Sequence, residues 1–437
     1  MIYVHVPFCR SFCTYCDFFS CVVSREQANK ERSDTGGVGG YAPRPLGVQG
    51  DNRIEDFVCE ICREAFERKG EIAATQNVNT LYIGGGTPSV LPLPYLARIA
   101  DACGGRRYEE WTVEVNPDDI TPEYARGLRE LGVNRVSMGV QSLDDGMLRW
   151  MNRRHDADGA RKAFRLLREA GFGNISVDVI FGVGGMSPEL LEATVRELLE
   201  WRPEHISAYQ LSVEEGSALG RMAREGRYTE LPDEACEAQY LLLCRLLAAA
   251  GYEHYEISNW ALPGHRAIHN SAYWTRKPYV GLGPGAHSLR VSVPPGIPLQ
   301  RSSLRSSLPL RFACGPLPLT CPRVDTDPEA GRPYSTTRSF PEARSADRGD
   351  SCIAAQGEPS PCPLGVQGDN SWAAPAVRSW NSEELSGWTA KSEVLTEEEI
   401  REERIMLGLR TAEGIPGYGR IPEDRWFVAD DIISSLI

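Results

Sequence analysis

The sequence predicts an α/β fold: a parallel sheet, closed or partly closed as a barrel, built from six β-then-α units. Three observations carry this. Short β-rich runs alternate with helical patterns six times between residues 2 and 250. Proline and glycine punctuate the helical stretches where first turns and C-caps need them. The 437 residues, 41% of them hydrophobic, are enough for a large core. Six units fall short of the eight of a full TIM barrel. The expected architecture is therefore a partial, TIM-like (βα)6 barrel, with chemistry at the C-terminal ends of its strands.

Ile2-Tyr3-Val4-His5-Val6 opens the chain as a strand. Further strands are expected at 80–83, 111–115, 135–140, 175–181 and 205–211. Helices are expected at 53–68, 93–102, 122–131, 157–170, 188–200 and 233–250. Pro122 and Pro188 sit at first-turn positions, and Gly132 and Gly171 at C-cap positions. Residues 31–52 hold a run of glycines and no periodicity. Residues 291–378 hold 14 of the 30 prolines, four of the 13 cysteines and no lysine. Such composition buries too little apolar surface to offset ordering entropy, so both stretches read as disordered or weakly ordered inserts. The octamer Pro-Leu-Gly-Val-Gln-Gly-Asp-Asn occurs in each, at 45–52 and 363–370. The expected division is a barrel over 1–258, a motif region over 259–290, the low-complexity insert over 291–378 and a small C-terminal domain over 379–437.

The net charge of −13 argues against nucleic acid as a partner. Neither a signal peptide nor a transmembrane segment is evident, which leaves transient membrane association open and predicts a cytoplasmic location. Thiols there are reduced. The cysteines are then ligands, reactive groups or small core residues. Cys59 and Cys62 fall among Phe57, Val58, Ile61, Ala65 and Phe66 on one helical face and read as core. Cys314, Cys321, Cys352 and Cys362 lie in the long insert at spacings unlike a zinc site. Glu397–Glu399, with Glu402 and Glu403, reads as a solvated helix face starting after Thr396.

The strongest signal is Cys9-x3-Cys13-x2-Cys16, directly after the first strand. Three thiolates in eight residues can wrap one compact metal centre. A zinc site wants a fourth ligand and usually pairs its cysteines. A [4Fe–4S] cluster normally takes four, so a three-cysteine loop leaves one iron open. Cys21 is a candidate fourth, and buried thiols or a zinc knot are the plain alternatives.

The run from Tyr3 to Phe18, with Cys9, Cys13 and Cys16, resembles the signature of the radical SAM family. The likeness is to the branch containing oxygen-independent coproporphyrinogen III dehydrogenase and the haem chaperone HemW. The resemblance implies that Cys9, Cys13 and Cys16 each ligate an iron of a [4Fe–4S] cluster and that S-adenosylmethionine (SAM) chelates the fourth. Reduction then splits the sulfonium and releases a 5′-deoxyadenosyl radical; cofactor and cluster carry that chemistry. Gly84-Gly85-Gly86-Thr87 resembles the family's motif for the SAM amino group, glycines allowing close backbone approach. Glu114, Gln141, Arg153 and Asp178 match residues that contact SAM's ribose, carboxylate or methionine part. Tyr3 belongs to the same signature, and Tyr15 and Ser212 are fainter candidates near adenine or ribose.

Within the branch, the dehydrogenase pattern has a further cysteine where Phe18 stands, and an N-terminal arm where Tyr3 is two residues from the start. His269-Asn270-Ser271-Ala272-Tyr273-Trp274 matches His-Asn-x-x-Tyr-Trp, which marks HemW and is implicated in haem binding. A histidine beside aromatics can offer iron an axial nitrogen while the rings pack the macrocycle. A structural His–Asn pair is the plain alternative. The resemblance thus implies a haem chaperone that binds a [4Fe–4S] cluster, SAM and haem and delivers haem to an acceptor haemoprotein. The alternative is oxygen-independent coproporphyrinogen III oxidase activity. Residues 405–415 resemble the start of the family's small C-terminal domain, which is expected to be truncated at Ile437.

Overall fold

The computed structural model describes residues 1–23, 53–75, 77–290, 376–383, 388–415 and 417–434. Its strands in chain order are β1 (Ile2–Val6), β2 (Phe8–Cys9), β3 (Cys21–Val22), β4 (Thr80–Gly85), β5 (Glu110–Val115), β6 (Arg135–Gln141), β7 (Ile175–Phe181) and β8 (His205–Gln210). There follow β9 (Glu253–Glu256), β10 (Asn259–Ala261), β11 (Val280–Leu282), β12 (His287–Arg290), β13 (Ala376–Asn381) and β14 (Ala390–Leu395). The main sheet has nine strands in the order β11-β1-β4-β5-β6-β7-β8-β10-β9. From β11 to β8 all neighbours are parallel, whereas β10 and β9 are antiparallel additions. The ladder order leaves β11 and β9 as edges, so the barrel is partial.

Each central strand alternates chemically. Leu81 and Ile83, Trp111 and Val113, Val136 and Met138, and Val177 and Val179 are buried in the main core. They pack under the helices Arg53–Glu67, Leu93–Ala102, Pro122–Leu131, Ala157–Glu169, Pro188–Trp201 and Asp233–Ala249. The intervening positions Tyr82, Glu114, Ser137, Asp178 and Ser207 point to the other face, because strand side chains alternate with period two. That face lines a cavity. The helix ends form as their residues dictate. Thr121 Oγ1 accepts from Tyr124 N at 3.1 Å before Pro122. Ser187 Oγ accepts from Leu190 N at 3.3 Å before Pro188. Gly132 closes its helix at φ +106°. Thr396 and Glu399 form a capping box for the helix Glu397–Gly408, whose Glu403 is not solvated as expected but buried in an ion pair with Arg276 at 2.7 Å.

Short helices absent from the predicted pattern occur at Lys69–Ala74, Asp145–Trp150, Ala218–Arg224 and Ile268–Trp274. The 258/259 boundary does not coincide with a break in the sheet. Asn259–Ala261 pairs with β8, and Val280–Leu282 pairs with β1. The predicted insert ending at 378 overlaps a strand. β13 starts at Ala376, where pairing with β12 orders residues whose composition carries no strand signal. β12, β13 and β14 make a separate antiparallel sheet. Ile405, Leu409, Trp426 and Ile433 join the main core, so the C-terminal segment packs directly on the barrel. Residues 31–52 and 291–375, both octamers and the four insert cysteines lie outside the described residues. Among those described, no helix is long and apolar enough to cross a membrane.

Candidate functional site

The three-cysteine loop is held shut at its base. β2 and β3 pair in parallel, Phe8 opposite Cys21 and Cys9 opposite Val22. Cys21 N donates to Pro7 O at 2.6 Å and Val23 N to Cys9 O at 2.8 Å. The tip is docked as well. Thr14 N donates to Met151 O at 3.1 Å, Leu219 N donates to Thr14 O at 2.8 Å, and Asn152 Nδ2 donates to Phe12 O at 2.5 Å. Asp119 ties the loop to the strand ends. It accepts from Arg10 Nε at 3.2 Å, Ser89 Oγ at 2.8 Å and Arg154 Nη2 at 3.1 Å.

Cys9, Cys13 and Cys16 line one wall of the cavity, which has a volume of about 260 Å³ and opens to solvent. Thr87 Oγ1 donates to Cys9 Sγ at 3.5 Å and Arg153 Nη1 to Cys13 Sγ at 3.3 Å. Burial pushes the Cys16 thiol up to about 12. Among the described residues no three His, Cys, Asp or Glu side chains converge as a ready-made single-ion site. A polynuclear cluster does not require convergence, because each thiolate takes its own iron.

The glycine triplet ends β4 against this loop. Gly85 has φ +109°, and a Cβ there would lie 2.8 Å from the His5 ring. A Cβ on Gly86 would lie 2.8 Å from Phe8 O and 3.1 Å from Cys9 Sγ. Only glycine allows strand and loop to approach so closely. Gly85 N donates to Glu114 Oε2 at 3.0 Å, and Tyr82 OH to Glu114 Oε1 at 2.7 Å. Burial raises the Glu114 carboxyl to about 7 despite these donors, with Asp178 adding to the rise. Burial likewise raises Asp178 to about 6, while Ser207, Arg135 and Ser137 oppose the shift. Ser137 Oγ lies 3.2 Å from Asp178 Oδ2. A register shift between Gly139 and Gln141 interrupts the pairing of β6 with β7, and Gln141 takes φ +69°. Such a bulge re-aims a side chain at a strand end. Arg153 Nη2 donates to Gly139 O at 2.6 Å, and Ser212 Oγ to Glu214 Oε1 at 3.1 Å.

All ten residues expected around SAM line this cavity: Tyr3, Tyr15, Gly85, Gly86, Thr87, Glu114, Gln141, Arg153, Asp178 and Ser212. The donor set fits a polar ligand. Arg10 Nη1, Arg135 Nε, Gln141 Oε1, Arg153 Nε and Asn270 Oδ1 are buried without a hydrogen-bond partner, and all belong to the cavity wall. Buried groups in that state cost about 1–3 kcal/mol each, which a bound polar partner recovers. Gln141 and Arg153 together offer an acceptor for an ammonium and a donor for a carboxylate.

The expected haem residues are placed differently. Asn270 lines the cavity, whereas His269, Tyr273 and Trp274 do not. His269 is 1% exposed. Its Nδ1 is hydrogen-bonded to Thr80 Oγ1 at 2.8 Å and its Nε2 to Tyr273 OH at 3.0 Å. Its backbone N donates to Glu110 Oε1 at 2.9 Å. In this conformation His269 is a buried strut between the helix Ile268–Trp274 and β4. Sequence reasoning missed Arg135, Ser207, His287 and Glu383, which also line the cavity. Arg135 had a signal, a charged residue opening an otherwise apolar strand. His287 had one, its place in the run Gly281–Ser288 that resembles the HemW pattern, whereas Glu383 had none, because the pairing of β13 with β12 brings it in.

The family model of the radical SAM superfamily matches residues 3–198. The chain is 33% identical over 289 residues to the haem chaperone HemW of Lactococcus lactis, covering 65% of this chain and 68% of that one. It is 34% identical over 292 residues to HemW of Bacillus subtilis, covering 65% and 69%. Among solved structures, the fold is similar to Escherichia coli coproporphyrinogen III oxidase, described as a radical SAM enzyme. The TM-score is 0.50 at 21% identity, over 66% of this chain and 64% of that one.

Proposed function

The chain belongs to the HemW branch of the radical SAM family, and on that premise we propose that it is a haem carrier that also binds an iron–sulfur cluster and SAM. Cys9, Cys13 and Cys16 hold the [4Fe–4S] cluster. Gly85, Gly86, Thr87, Glu114, Gln141, Arg153 and Asp178 hold SAM, with Tyr3, Tyr15 and Ser212 at its edges. Haem binds at the same cavity, near Asn270, and passes to an acceptor haemoprotein. The observation that carries the reading is convergence: the cysteine loop and all ten residues expected around SAM line one cavity at the C-terminal ends of parallel strands.

A [4Fe–4S] cluster held by Cys9, Cys13 and Cys16 would supply the electron for cleavage of the SAM sulfonium. The chain's own residues do the positioning. Arg153 sits between the cysteine loop and the bulged end of β6, bonded to both. Glu114 is placed by Tyr82 and Gly85 to accept from ribose hydroxyls. The contacts of Thr14 and Asn152 dock the tip of the cysteine loop against the barrel.

Anaerobic reconstitution followed by SAM and haem titrations on one sample tests the proposal. Wild type should take up iron and sulfide, bind SAM and show a saturable Soret change. Cys13→Ala should lose the iron and sulfide. A wild-type protein that holds zinc alone would sink the cluster assignment. The second reading, decarboxylation of coproporphyrinogen III, draws on the fold shared with coproporphyrinogen III oxidase. Phe18, where that enzyme's pattern has a cysteine, weighs against it. Formation of protoporphyrinogen by the reduced, SAM-loaded protein would favour it.

A further inference from the structure

We propose that the deep end of the cavity is a carboxylate seat, in which Arg135, with Asn270 beside it, receives a propionate of the bound haem. This rests on the haem-carrier reading and names how that ligand is held.

Arg135 opens β6, whose residues Ser137, Gly139 and Gln141 line the same cavity towards the C-terminal end of the strand. It therefore lies at the deep end, away from the cysteine loop. The residue is 2% exposed, and its Nε has no hydrogen-bond partner. A buried guanidinium is costly unless it is paired and hydrogen-bonded, and an apolar side chain of similar volume would pack there at lower cost. Glu110 and Asp178 act on its charge. Both carboxylates are held by other donors. Glu110 accepts from Ile268 N at 2.8 Å and His269 N at 2.9 Å, and Asp178 accepts from Ser137 Oγ at 3.2 Å. Arg135 Nε is left as a donor for a ligand.

Strand β5 and the helix Ile268–Trp274 bring the second group in. Thr112 lies opposite Arg135 in the β5–β6 ladder. Glu110, two residues earlier on the same face of β5, carries the amides at the start of that helix. Asn270 follows directly. It lines the cavity, is 9% exposed, and its Oδ1 has no partner. His269, with both ring nitrogens engaged, fixes the helix and so the place of Asn270. An asparagine amide offers an oxygen or, turned over, two N–H donors. A guanidinium with an amide beside it is a donor set for a carboxylate, and such charge-assisted bonds are the strong ones. The carboxylate of SAM belongs at the other end, where Arg153 is bonded to Cys13 and Gly139. Haem carries two propionates on one edge of an apolar macrocycle. Its dimethyl ester keeps the macrocycle and the iron but lacks both charges.

The test is titration of the full chain, reconstituted anaerobically, with haem and with haem dimethyl ester in the same detergent buffer. Variants are Arg135→Met, Arg135→Lys and Asn270→Asp, each checked for iron and sulfide content and for SAM binding. Wild type should bind haem at least about tenfold tighter than the diester. Arg135→Met and Asn270→Asp should bring the two affinities together by weakening haem alone, and Arg135→Lys should keep part of the preference. Iron, sulfide and SAM binding should stay as in wild type. If Arg135→Met does not fold, Asn270→Asp carries the comparison. Equal affinities for haem and diester in wild type would overturn the seat. So would variants that weaken both porphyrins alike, which marks a structural role, or a loss of SAM binding in Arg135→Met with the haem preference kept. Absence of saturable binding of either porphyrin by wild type would instead remove the haem-carrier reading beneath it.

Discussion

Replacing Glu64 with alanine should release the sheet that carries His287 from the barrel. Glu64, on the helix Arg53–Glu67, is 7% exposed and accepts four hydrogen bonds. Gly283 N and Trp388 Nε1 each donate to Oε2 at 2.9 Å; Asn381 Nδ2 and Arg68 Nη1 each donate to Oε1 at 3.0 Å. One carboxylate therefore joins the first helix, the turn before β12, the end of β13 and Trp388. Removing it strands the Gly283, Asn381 and Trp388 donors and deprives Arg68 of one of its two carboxylates. Arg68 keeps Glu71 at 3.0 Å and Gly281 O at 2.7 Å, so its loss is partial. Asn381 also keeps Gly283 O at 2.7 Å. Each donor left buried costs about 1–3 kcal/mol, and breaking a buried charged pair costs about 3–5 kcal/mol in all. The expected loss is therefore roughly 4 kcal/mol for Glu64→Ala and about half that for Glu64→Gln, which keeps one acceptor. Urea unfolding of the cluster-free protein measures it. With a slope near 3 kcal/mol/M, the midpoint should fall by roughly 1 M. Trp388 fluorescence should change at lower urea than the global transition. A midpoint within about 0.2 M of wild type for Glu64→Ala would refute the view that this carboxylate holds the two sheets together.

Two further outcomes are expected. Glu114 has a folded pKa of about 7 against an ordinary 4.5, raised chiefly by burial. The stability it contributes is full below pH 4.5 and is lost as pH rises through 7, by roughly 3 kcal/mol. Glu114→Gln should flatten that part of the pH profile in urea midpoints taken between pH 5 and 8, and an unchanged slope would exclude Glu114 as its source. Asp119→Asn should weaken the ties to Arg10 and Arg154 and let the reconstituted cluster bleach several-fold faster in air, with the iron content at time zero unchanged. Equal bleaching rates would show that Asp119 does not restrain the cysteine loop.

The residues that gather at the mouth of the barrel could be named from the chain because they belong to short local motifs. Cys9, Cys13 and Cys16 lie within eight residues, and Gly84–Thr87 directly ends a strand, so spacing alone puts each group on one turn. The six βα units follow for the same reason: hydrophobic period, first-turn prolines and C-cap glycines are signals carried within single segments. His269 shows where such reading stops. The motif places it among aromatics, but Thr80 and Tyr273 decide that both ring nitrogens are engaged, and Thr80 is 189 residues away. Arg135 and His287 belong to the same class. Their contacts arise from strand pairing, in which partners are selected by register between distant segments and not by any pattern inside either one. Local spacing therefore specified the cysteine loop and the strand ends that meet it, and long-range pairing specified the wall that faces them.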